Sequence, residues 1–163
     1  MNMDVDRILR TFHNAGVEYV LICGMNFFLV HKPVATFDVD LWIADEVNNR
    51  AKVHDALTEL KAEVSFSTKG DDLALVEDLP SSAWLERAAV FCLNSPHGAI
   101  DIFRSVRGLE PDYQTLRGRF VRRATPSGVP FQSLPDDLMI AYQLALPEPE
   151  RKRDRLRALG HRL

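Results

Sequence analysis

One segment constrains this chain more than any other: residues 37–43, FDVDLWI. Its polarity alternates without a break. Phe37, Val39, Leu41 and Ile43 fall on one side, and Asp38, Asp40 and Trp42 on the other. Successive side chains of a strand point to opposite faces, so this is a strand with one face on a core and two carboxylates on the other. Residues i and i+2 lie about 6.5–7 Å apart along a strand. Two carboxylates aimed the same way repel unless water or a cation separates them. A solvated sheet face is the plain alternative for such a pair. Asp101 adds a third acid. It stands in AIDIF between Ile100 and Ile102. If those isoleucines face the core, Asp101 points to the opposite face, where Asp38 and Asp40 could also lie. Three carboxylates from two adjacent strands carry about −3, which suits two Mg²⁺ (or Mn²⁺) ions in oxygen coordination. The alternative for Asp101 is an ion pair with Arg104 or Arg107.

The rest of the chain supplies a frame for that strand. Val5, Ile8, Leu9 and Phe12 have helical spacing, with Asp4 or Asp6 at the start and Gly16 as the stop. Residues 18–23 read as a buried strand, 25–31 as a short helix closed by Pro33, and 45–61 as a helix with Asp45 as its cap. The stretch 62–87 is hard to read; Leu73–Val76 suggests a strand and 69–72 a turn. Residues 88–94 and 99–104 flank Ser95-Pro96-His97-Gly98 as a hairpin. A second small hairpin, 119–125 with 129–133, surrounds Pro126-Ser127-Gly128. Helices are expected at 135–146 and 150–160. The fold class is therefore α/β (α+β): a small mixed sheet of four or five strands, helices on one side, and a C-terminal helical pair. With 163 residues, the chain is expected to form one domain, with a core over 1–108 and the C-terminal hairpin and helices over 109–163.

Several classes drop out. No run of about 20 apolar residues exists, so no membrane span is expected. The N-terminus, MNMDVDRILR, has acids where a secretion signal carries bases, which points to the cytoplasm. Cys23 and Cys92 match no metal or redox spacing and read as reduced, buried thiols. His13, His31, His54, His97 and His161 show no zinc-type pair. Charge is divided unevenly. Residues 1–103 hold 8 basic and 16 acidic residues, and residues 104–163 hold 12 basic and 7 acidic, for a net of −3. The halves either attract each other across the fold, or set a cation-binding acid cluster against an Arg-rich rim that meets phosphates. Overall acidity argues against broad duplex binding.

Gly24 closes the first strand and opens a helix. Backbone N–H groups at a helix start make a phosphate seat, a glycine allows close approach, and Asn26 adds an amide. At this point VLICGMNFFLVHKPVATFDVDLWI resembles the first motif of the nucleotidyltransferase superfamily with the polymerase-β-like fold. HGAIDIF resembles its third-carboxylate strand. SLPDDLMIAYQLAL with ERKRDRLRAL is similar to the C-terminal helices of small prokaryotic members, including AbiE-type toxin transferases.

The resemblance implies that Asp38, Asp40 and Asp101 are catalytic and hold Mg²⁺ or Mn²⁺. It implies nucleotide contacts at Gly24, Met25, Asn26, Thr36, Lys32 and Lys152. The expected reaction is attack of a hydroxyl on the α-phosphate of a nucleoside triphosphate such as ATP, with release of pyrophosphate. The acceptor would be a protein, an RNA or a small molecule, and a cognate toxin or antitoxin partner is implied. The chain departs from the family at Met25, where a second small residue is usual, and at Val34, where many relatives carry Arg. Tyr142 and Gln143 stand where a Lys is frequent. A rival reading therefore stays open, a catalytically weakened binding or regulatory module on the same fold.

Overall fold

A computed structural model describes residues 3–65, 72–81, 83–110 and 112–163. The expected turn at 69–72 lies largely outside them. The first half runs α1 (Val5–Asn14), β1 (Tyr19–Ile22), α2 (Cys23–Val30), β2 (Asp38–Ile43), α3 (Val47–Glu59), β3 (Glu63–Ser65) and β4 (Leu73–Leu75). It continues with β5 (Val90–Ser95), β6 (Gly98–Phe103), α4 (Tyr113–Leu116), β7 (Val121–Ala124), β8 (Pro130–Ser133), α5 (Asp136–Ala145) and α6 (Arg153–Ala158).

The described strands form one eight-stranded mixed sheet, in the order β4-β3-β5-β6-β2-β1-β8-β7. Four or five strands were expected. The difference has two sources. The C-terminal hairpin is not separate: β8 pairs in parallel with β1 at Leu21 and Ser133. At the other edge, β3 and β4 are three residues each, too short to show an alternating pattern, and pairing with β5 recruits them.

Helices lie on both faces rather than one. On the first face, Leu21, Val39, Leu41, Ile43, Ile100 and Ile102 pack with Ile8, Leu9 and Phe12 of α1 and Val53 and Leu57 of α3. On the second, Val20, Ile22 and Trp42 pack with Phe27 of α2, Tyr113 and Leu116 of α4, and Leu138 and Met139 of α5. Trp42 is 1% exposed and meets Tyr113 edge-on at 5.3 Å, so the indole is a core group and not a base-stacking surface. Phe37, expected on the core face, is 83% exposed, because β2 begins only at Asp38. Asp4 caps α1 by accepting a hydrogen bond from the Arg7 N–H at 2.9 Å. Asp45 does not cap α3, where the cap position is Glu46; it pairs with Arg104 at 3.0 Å.

Candidate active site

The acid cluster follows from strand register. β2 and β6 run parallel with Asp40 opposite Asp101 and Asp38 opposite Ala99. Ile100 and Ile102 are fully buried on the first face, which turns Asp101 to the second, beside Asp40. Carboxylate oxygens of Asp38, Asp40 and Asp101 all lie within 4.8 Å of one another. Asp40 is the deepest, at 6% exposed. Burial first, and then the Asp38 and Asp101 charges, push its carboxyl up to about 8. Burial and Asp38 raise Asp101 as well. A divalent ion relieves this repulsion, and hard oxygen donors of this kind fit Mg²⁺ or Mn²⁺. The three residues therefore fit the ions that the sequence leads one to expect.

Two thiols flank the acids. Cys23 sits between the Tyr142 hydroxyl and the Asp40 carboxyl, and burial raises its pKa well above the usual thiol range. Cys92 stands opposite Asp101 on β5. It was expected to be buried but is exposed: the alternate residues Phe91 and Leu93 take the core side of β5, so Cys92 lies on the open side. Burial, with Asp101 beside it, raises its thiol to about 11.

The proposed phosphate side is built from α2, the segment before β2, and the C-terminal segment. No side chain caps the start of α2. Cys23 enters the helix at φ 59°, a left-handed torsion that strains a residue with a β-carbon. Gly24 has no such torsion; space dictates its identity. A β-carbon there would lie 2.8 Å from Thr36 Oγ1 and 3.2 Å from Arg155 Nη2. Thr36 in turn donates to the Asp38 carbonyl at 3.4 Å, which joins this seat to the acid strand.

The remaining expected nucleotide contacts divide. The Met25 side chain is buried in the first core, pointing away from any phosphate approach. Asn26 is corrected: it is fully buried, donates to the Leu134 carbonyl at 3.1 Å and accepts from Ser133 Oγ at 2.8 Å. Its amide holds the fold together and does not face a ligand. Lys32 is exposed in the loop after α2 and is not part of the adjoining groove. Lys152 does line that groove, a depression of about 700 Å³ bounded by Val34, Ala35, Glu148, Arg151 and Arg155. Sequence reasoning missed Cys23 and Tyr142 as neighbours of Asp40, and Arg155 as a neighbour of Gly24. The position of Cys23 directly before Gly24 was the available signal for the first.

No protein-family model matches the chain, and no curated protein matches it. Solved structures do. The crystal structure of the lincosamide antibiotic adenylyltransferase LnuA with lincomycin bound aligns at a TM-score of 0.63 with 13% identity, over 98% of this chain and 98% of that one. A candidate nucleotidyltransferase from Thermotoga maritima aligns at 0.53 with 18% identity, over 96% of this chain and 90% of that one. The chain thus shares the fold of these two structures. Within that fold, the chain presents an acid triad on β2 and β6 beside a glycine-seated helix start.

Proposed function

We propose that this protein is a divalent-cation-dependent nucleotidyltransferase that moves a nucleoside monophosphate from a nucleoside triphosphate to a hydroxyl acceptor. The observation that carries the reading is the meeting of Asp38, Asp40 and Asp101 within 4.8 Å on one sheet face. The ions would supply charge neutralisation at the α-phosphate and at the pyrophosphate leaving group. Asp38 and Asp40 hold that charge in place from β2. Asp101, less buried than Asp40, accepts the proton of the attacking hydroxyl. The first turn of α2 beside Gly24 and Thr36 receives the phosphate tail. Catalysis on this scheme is mainly positioning and electrostatics.

Two observations favour an enzyme over a weakened binding module. Met25 does not crowd the seat, because its side chain is in the core. All three acids share one face, although each unneutralised carboxylate there destabilises the others. The resemblance of SLPDDLMIAYQLAL and ERKRDRLRAL to the C-terminal helices of AbiE-type transferases is what speaks for a toxin–antitoxin setting with a cognate partner.

Calorimetry with Mn²⁺ and each nucleoside triphosphate tests the reading, together with pyrophosphate release in the presence of RNA, protein and small hydroxylated acceptors. Native protein should bind ion and nucleotide together, and Asp38→Ala/Asp40→Ala should lose the ion. Equal binding by that variant overturns the proposal.

A further inference from the structure

The acid triad occupies one face of the sheet. The other face carries a cavity that the proposed reaction does not use. It lies beside the last turn of α1, at the end of the sheet where β1, β8 and β7 are neighbours. Register sets three side chains in a row there. Leu21 of β1 is level with Ser133 of β8, so Tyr19 is level with Phe131, and Phe131 pairs with Arg123 of β7. Residues in lateral register share a face. Tyr19 and Phe131 belong to the first core, which puts the row opposite to Asp38, Asp40 and Asp101.

The cavity has a volume of about 290 Å³ and is lined by Tyr19, Phe131 and Arg123, with His13, Arg122 and Gln132 around them. Its chemistry is one-sided, because no acid lines it. Arg117 and Arg119, just before β7, are paired with Glu18 and Asp137. Arg122 and Arg123, on β7 itself, have no carboxylate within ion-pair distance among the described residues. Tyr19 adds an independent sign. It is 4% exposed, and its hydroxyl has no hydrogen-bond partner among the described residues. Its ring is packed edge-on against Phe12 at 5.9 Å. Buried hydroxyls are nearly always paired, and an acceptor arriving in the cavity pairs this one. Arginines on an outer strand also discourage edge-to-edge pairing. That role accounts for Arg122 and Arg123 but leaves the Tyr19 hydroxyl unexplained.

We infer that this cavity is a second ligand site, which takes the phosphate group of a small phosphomonoester with an apolar body. Arg123, with Arg122 beside it, presents planar donors to the phosphate oxygens. The Tyr19 hydroxyl donates to a further oxygen, and Phe131 and Val17 give the apolar contact. The volume is at the lower limit of small-ligand sites, so a monoester fits and a nucleoside triphosphate does not. The site shares no residue with the triad or the Gly24 seat, and it stands apart from the nucleotidyltransferase reading.

The test is calorimetry in metal-free buffer with phenyl phosphate and inorganic phosphate. It compares native protein with Arg123→Gln, Tyr19→Phe and Asp38→Ala/Asp40→Ala, and thermal melts establish that each variant is folded. Native protein should bind phenyl phosphate about tenfold more tightly than inorganic phosphate. Arg123→Gln should weaken phenyl phosphate by about 10–100-fold, and Tyr19→Phe by about 3–10-fold. Asp38→Ala/Asp40→Ala should bind it as the native protein does. Tyr19→Phe should melt no lower than native protein, because the hydroxyl it removes has no partner in the empty cavity. A lower midpoint assigns that hydroxyl to the fold and overturns the proposal. No binding by native protein, or unchanged binding by Arg123→Gln, overturns it too. Equal affinity for inorganic phosphate reduces the site to charge attraction and overturns the apolar part. Loss of binding in the aspartate variant places the ligand on the acid face and sinks the proposal. Displacement by an unphosphorylated RNA oligonucleotide that binds more tightly than phenyl phosphate also overturns it, and assigns the arginines to a nucleic-acid backbone.

Discussion

Asp40 bears most of the tension in the site. It is nearly inaccessible to water, has two acids beside it, and receives the Cys23 thiol from a strained backbone position. Its carboxyl is raised from an ordinary 3.8 to about 8 on folding. Between those values the folded protein keeps a proton that the unfolded chain has released. The contribution to stability is therefore full below about 4 and is lost as pH climbs through about 8. Thermal melts of metal-free protein should show a midpoint that falls from pH 5 to pH 9. Asp40→Asn should flatten that slope, and added Mn²⁺ should raise the native midpoint most at the alkaline end. The acids were legible from sequence because strand alternation is a local, period-two property. The pairing state of Arg155 was not, since it depends on which acids and carbonyls capture the neighbouring arginines. Asn26 misled for a similar reason: an amide after a glycine suits a ligand, but the return of the chain at Ser133 and Leu134 claims both its ends.

Among the elements, the parallel pairing of β2 with β6 does most to define the site. A slip of one residue in β6 would bring Ile100 or Ile102 to the acid face and bury Asp101, so the apolar alternation that builds the core also protects the triad. Asn26 ties α2 to the end of β8, next to β1 in the sheet. Asn26→Ala removes its bonds to the Leu134 carbonyl and Ser133 hydroxyl and leaves buried polar atoms without partners. Urea unfolding should register a loss of about 1–3 kcal/mol, with a loosened seat at Gly24. The hairpin β5–β6 and helices α1 and α5 could be read from pattern and turn chemistry. The short edge strands could not, because long-range pairing rather than local sequence creates them.

Across the whole molecule, the uneven charge acquires a location. The acidic first half contributes the triad, and the basic second half contributes the cationic wall of the groove. The first reading of that asymmetry, attraction between the halves, is visible in Arg104 and Arg117, which tie back to Asp45 and Glu18, while Arg155 and Lys152 have no such ties among the described residues. Among those residues, no helix is long and apolar enough to cross a membrane. One feature of α6 bears on motion. Leu156 is its single fully buried side chain, so this last helix is anchored at essentially one point while the sheet is gripped from both faces. Local opening of such a segment takes less free energy than global unfolding. Backbone amides of 153–158 should therefore exchange with deuterium far sooner than those of β2 and β6, and a nucleotide that engages this helix should slow them selectively. The protein would then breathe at its C-terminal cover while the carboxylate floor stays rigid.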